Sequence, residues 1–143
     1  MTVLWGLVVT LLSLLSWGGQ AVSWFSPSTA VRWKVMEAER DVEPTFWADI
    51  RAEALWDTLT LWTMIVAGVL LILDAGAWPY FGLVGGGMYL YFGGRAIFAR
   101  VAMTRRGLRI GAPSNVRLGY VFSAIWAVMA LITIVAAIGS LEG

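Results

Sequence analysis

LGYVFSAIWAVMALITIVAAIGSL, residues Leu118 to Leu141, contains no charged side chain and is bounded by Arg117 and Glu142. A helix rises about 1.5 Å per residue, so about 20 such residues cross a hydrocarbon core about 30 Å thick. Residues 118–141 therefore read as a membrane span, and the rest of the chain repeats the theme. Met1 to Val31, Thr58 to Leu73 and Ala75 to Gly94 are also free of charged side chains. The Thr58 run is short for a span, but a helix starting near Pro44 would enter the membrane around Leu55. The expected fold is all-α: an integral membrane four-helix bundle, one membrane domain over residues 1–143. Its spans fall near 2–23, 55–74, 79–99 and 116–138. The loops are 24–54 and 100–115.

Composition agrees. Of the 143 residues 59% are hydrophobic and 13% charged, against about 45–50% and 25% in soluble domains. A soluble fold of this size has too little interior for so much apolar surface. The net charge of +1 implies no attraction to nucleic acid. With no Cys and no His, disulfides, thiol catalysis, thiolate or imidazole metal sites and His-ligated haem are excluded. Neither cofactor nor metal site is expected. Ala21-Val22-Ser23 would suit a signal-peptide cleavage site, but no basic residue precedes the apolar run. The first span is read as a retained anchor.

Orientation follows the basic residues. Arg32, Lys34, Arg40 and Arg51 lie in the first long loop. Arg100, Arg105, Arg106 and Arg109 lie in the second, with Arg117 at its edge. The connection Asp74-Ala75-Gly76-Ala77-Trp78-Pro79 has none. Both long loops are expected in the cytoplasm, with both termini outside (N-out/C-out) in a cell membrane, the bacterial inner membrane by expectation. Trp5, Trp17, Trp24, Trp78 and Tyr80 sit near span ends, where amphipathic rings collect.

The first loop is expected to form short amphipathic helices. One would run from an N-cap at Ser28 to about Arg40, burying Val31, Trp33, Val35 and Met36. Pro44 suits the first turn of the next. The acids Glu37, Glu39, Asp41, Glu43, Asp49, Glu53 and Asp57 precede a largely basic second half, so the loops should attract each other.

Asp49, Glu53 and Asp57 recur every four residues and stack three carboxylates on one helix face. They are candidates for an ion or proton site, although acids near a helix N-terminus are also favoured by its dipole. Arg51, Arg95, Arg105, Arg106 and Arg109 are candidate ligand-binding residues for an anionic lipid or other anionic ligand. Spans two and three are joined by a short hairpin, so an Asp57–Arg95 contact is expected at their inner ends. Gly82, Gly86 and Gly93 line one face of the third span; Gly119, Ser123 and Ala127 make a matching stripe on the fourth. Small residues let membrane helices approach closely, within one chain or between copies. Ser114 or Asn115 can cap the last helix.

The layout of four short spans with an extended first loop resembles the MAPEG family of glutathione- and eicosanoid-metabolising membrane enzymes. Their Arg-Ala-His-x-Asn-x-x-Glu motif is matched here only at Arg51 and Ala52, with Leu55 and Thr58 at the Asn and Glu positions. Small multidrug exporters share the size but carry a Glu in the first span, where this chain has no charge. Three functions stay open. The first is a non-enzymatic protein acting through helix contacts, as a homo-oligomer or with a membrane-protein partner. The second is a small transporter or channel with an acidic and Arg-lined inner mouth. The third is a MAPEG-like enzyme or binder of an anionic lipophilic ligand.

Overall fold

The computed structural model describes residues 2–143. Among them six α-helices form, with no strand: α1 (Thr2–Phe25), α2 (Pro27–Arg32), α3 (Pro44–Thr60), α4 (Trp62–Ile72), α5 (Trp78–Arg105) and α6 (Pro113–Glu142). Helices α3 and α4 are nearly one rod, loosened for a single step at Leu61, which keeps right-handed helical angles. Three helices are long and apolar enough to cross a membrane: Thr2–Phe25, Pro44–Ile72 and Pro113–Glu142, as in a multi-pass membrane protein. Helix α5 has the length, but its glycines, tyrosines and Arg95 leave it less apolar than these three.

Pro begins α2, α3, α5 and α6 at the first or second helical position, where its missing N–H is no loss. The ends are equally local in cause. Gly107 takes a left-handed φ of +75°, and Leu108 N–H then reaches back to the Met103 carbonyl (3.1 Å), closing α5. Lys34, at φ +58°, ends α2 the same way, with Val35 N–H bonded to the Ala30 carbonyl. The loop helix expected to reach Arg40 therefore stops at Arg32, followed by only a 3₁₀ turn at Glu39–Asp41. Ser26, rather than Ser28, precedes its first turn. Trp33 and Val35, expected to bury, are exposed: the helix has ended before Trp33, and the left-handed turn at Lys34 redirects the chain before Val35.

The long helices pack in series: α1 against α3 and α4, α4 against α5, and α5 against α6. One end of the bundle carries the two long loops; the other carries both termini and the α4–α5 hairpin. The core holds Val9, Leu61, Met64, Ala67, Tyr89, Phe92, Met129 and Ala130. Glycine makes the closest approaches. A Cβ at Gly85 would lie 2.8 Å from Met64 Cα, and one at Gly93 2.5 Å from the Ser123 carbonyl oxygen. Gly6 and Gly68 face each other where α1 crosses α4.

A smaller cluster of Val42, Phe46 and Ile110, flanked by Trp47, Ile50, Met103 and Val116, joins the two long loops. Glu43 N–H donates to the Arg109 carbonyl (2.8 Å), and the Glu43 carboxylate meets Arg109 Nε (3.3 Å). Glu37 accepts from Ala112 N–H (3.0 Å) and Asn115 Nδ2 (2.7 Å) at the start of α6. The loops dock through apolar packing as much as through charge.

Candidate functional site

Because the helices pack in series, α1 and α6 stand at opposite ends of it and leave a groove between them. Trp126 spans this groove, its indole N–H donating to the Leu12 carbonyl (3.1 Å). On the hairpin side lies an apolar hollow of about 380 Å³, walled by Trp5, Val8, Leu12, Ile125, Val128 and Ile132. On the loop side the groove widens to a cavity of about 580 Å³. Its apolar walls include Leu14, Leu15, Phe92, Leu118, Phe122 and Trp126; residues 33–37 close its loop end.

Polar groups gather on the inner wall of that cavity. Glu53 comes from α3, Ser16 from α1 and Arg100 from α5. Arg100 follows Phe92 and Ala96 at successive four-residue steps, so the stripe that packs the core also carries the guanidinium inward. It donates to the Ala96 carbonyl (2.9 Å) and lies over the Phe46 ring at 5.7 Å. Among the described residues it has no ion-pair partner within 4.0 Å. A guanidinium has five N–H donors, so most of its capacity is unused.

Beside the cavity, Arg95 bridges two acids of α3: Asp49 at 2.5 Å and Glu53 at 3.0 Å, the second without hydrogen-bond alignment. The expected Asp57–Arg95 contact does not form. Asp57 lies one turn further from the loops, and the long Arg95 side chain extends toward the wet end instead, as such side chains do. Asp57 is 3% exposed, and its Oδ2 has no hydrogen-bond partner.

The five arginines singled out from the sequence do not converge. Arg51 donates to the Ser23 and Trp24 carbonyls at the end of α1 and stacks on the Trp24 ring at 4.8 Å. A cation there satisfies carbonyls that the helix leaves free. Arg105 and Arg106 are exposed at the end of α5, and Arg109 pairs with Glu43. Gly82, Gly86 and Gly93 all face α6, against Ala137, Ile134 and Ser123 with Ala127. Gly119 faces the Arg100 side chain. Arg100, expected in the loop, belongs to α5, and its spacing from Phe92 and Ala96 is the signal for that in the sequence.

No protein-family model, curated protein or solved structure matches this chain.

Proposed function

We propose that this chain is a four-span membrane protein that binds an amphiphile with an anionic headgroup in the cavity between α1 and α6. Helix α5 supplies the fourth crossing, since it lies between α4 and α6 and runs their length. Both termini lie outside, and the two basic loops lie in the cytoplasm. The observation that carries the reading is the cavity itself: apolar walls, about 580 Å³, and an unpaired guanidinium at its base. Ligand pockets are typically about 300–1,000 Å³, mostly apolar, with a few convergent polar groups. The apolar hollow beyond Trp126 extends the groove in the direction an acyl chain would take. In the hairpin half the core is formed by Val9, Met64, Ala67 and Met129, which favours entry from the bilayer over passage through the bundle.

Binding of palmitate, against hexadecanol as the uncharged control, tests this on the purified chain in nanodiscs. Arg100→Ala should weaken palmitate about 10- to 100-fold, the weight of about 1.5–3 kcal/mol for a hydrogen bond to a charged group. Hexadecanol binding should barely move. Equal losses for both, or saturable binding of neither to the unaltered chain, would overturn the reading.

A second reading, self-association, is favoured by the outer face of α5. A Cβ at Gly87 or Gly94 would meet nothing within 4 Å, and Tyr91 and Phe98 are exposed there. The chain has no Cys, so Gly87→Cys introduces a single thiol. Cross-linking between copies in the native membrane is the expected outcome of that reading; a purely monomeric product rejects it.

A further inference from the structure

We infer that Asp57 is a proton-binding site inside the bundle, connected to the cavity through Glu53, one turn away on α3.

The carboxyl of Asp57 is 3% exposed and Oδ2 is without a partner. Moving an unpaired carboxylate out of water costs several kcal/mol, more than one neutral hydrogen bond returns. Something must therefore compensate the group, and the nearest guanidinium, Arg95, is already engaged by Asp49 and Glu53. The charged and titratable groups around Asp57 are few. Glu53 lies one turn away on its own helix, and the groups of α5 whose charge acts on it are Arg95 and Tyr89. Facing it, α1 has no titratable side chain, and neither does α4.

A proton fits this surrounding better than a metal ion. A hard cation wants about six or more oxygen ligands, some of which can be retained waters. Among the described residues the buried oxygens without a hydrogen-bond partner are Asp57 Oδ2, Ser13 Oγ and Glu53 Oε1, the last within an ion pair to Arg95, and no group of three acids is arranged to hold a metal. One proton needs a single oxygen.

A hydroxyl pair on α5 and α1 also reaches the cavity wall. The Tyr89 hydroxyl is 2.6 Å from Ser16 Oγ and donates to the Ser13 carbonyl at 3.1 Å. Tyr89 is fully buried, whereas Ser16 reaches the cavity wall, as Glu53 does. Asp57 thus lies one turn of α3 beyond Glu53, which lines the cavity. The role of the cavity rests on the amphiphile reading; the proton on Asp57 does not, and the test separates them.

The experiment is infrared difference spectroscopy on the full chain in nanodiscs, comparing the unaltered protein with Asp57→Asn and Glu53→Gln. Asn is nearly isosteric, and retained helical content and elution volume establish that each variant is folded. The expected result is a protonated-carboxyl C=O band that disappears in Asp57→Asn, survives in Glu53→Gln and shifts on addition of palmitate. A band that survives Asp57→Asn, or none in the unaltered protein, overturns the proton site. Sodium stabilising the unaltered chain but not Asp57→Asn would also overturn it, in favour of a bound cation. A band that depends on Asp57 but ignores a demonstrably bound amphiphile overturns the connection to the cavity. Failure of palmitate to bind, with the Asp57 band present, counts against the amphiphile reading alone.

Discussion

Gly93→Ala should strip about 3 kcal/mol from the folded bundle, although it adds only one methyl group. The added Cβ would lie 2.5 Å from the Ser123 carbonyl oxygen and 3.2 Å from Ala127 Cβ. The first of these is backbone, held in the hydrogen-bonding ladder of α6, so it cannot rotate aside. Relief requires α5 and α6 to separate along a contact that also seats Gly82 and Gly86. Overpacking in a tight interior costs about 1–3 kcal/mol, and this site belongs at the upper end because no flexible side chain can yield. Gly94→Ala is the control one residue away. Its Cβ would meet nothing, and alanine exceeds glycine in helix preference by about 0.8–1.0 kcal/mol, so that variant should be neutral or slightly more stable. Reversible unfolding in mixed micelles measures both. Equal effects at 93 and 94 would mean that α5 and α6 do not pack as described.

The contrast between adjacent glycines marks how far the sequence could be read. Helix limits were legible because they are local. Charge-free runs located the three most apolar helices, and Pro44 marked the start of α3, although α5 runs past its expected span to Arg105. The end of α2 was not legible, since nothing in the residue type announces that Lys34 adopts a left-handed angle. The close face of α5 was legible from the Gly82, Gly86 and Gly93 spacing; Gly85, against α4, and the Gly6–Gly68 crossing were not, because each needs the position of a second helix. For the same reason the cavity was invisible. It exists because α1 and α6 do not close on each other, a relation between residues about a hundred positions apart with no local trace. Arg100 was misplaced by treating the basic cluster as loop, when α5 continues to Arg105 and carries Arg100 inward on the Phe92–Ala96 stripe.

Arg95→Met is expected to cost about 3 kcal/mol, chiefly through what it leaves behind. In the folded chain Arg95 neutralises Asp49 and Glu53, whose side chains are 26% and 11% exposed. Removing the cation leaves two carboxylates four residues apart on one helix face, with Asp57 a further turn in and, among the described residues, no other basic group in ion-pair contact with them. Breaking a buried pair from one side costs about 3–5 kcal/mol; the partial exposure of Asp49 places the loss at the lower end. Adding Glu53→Gln to Arg95→Met removes one of the stranded charges and should return about 1–2 kcal/mol, a coupling of the size seen between groups in one network. Arg95→Lys keeps the charge but loses the planar fork that reaches both acids, so it should fall between the unaltered chain and Arg95→Met. Unfolding free energies of the unaltered chain, Arg95→Met, Glu53→Gln and the double variant give the cycle, with Arg95→Lys measured beside them. If Arg95→Met is harmless, the acids are hydrated and Arg95 does not hold α5 to α3. If the double variant regains stability and still binds palmitate, Arg95 and its acids serve to lock those helices, and the chemistry of the cavity lies with Arg100 and Asp57.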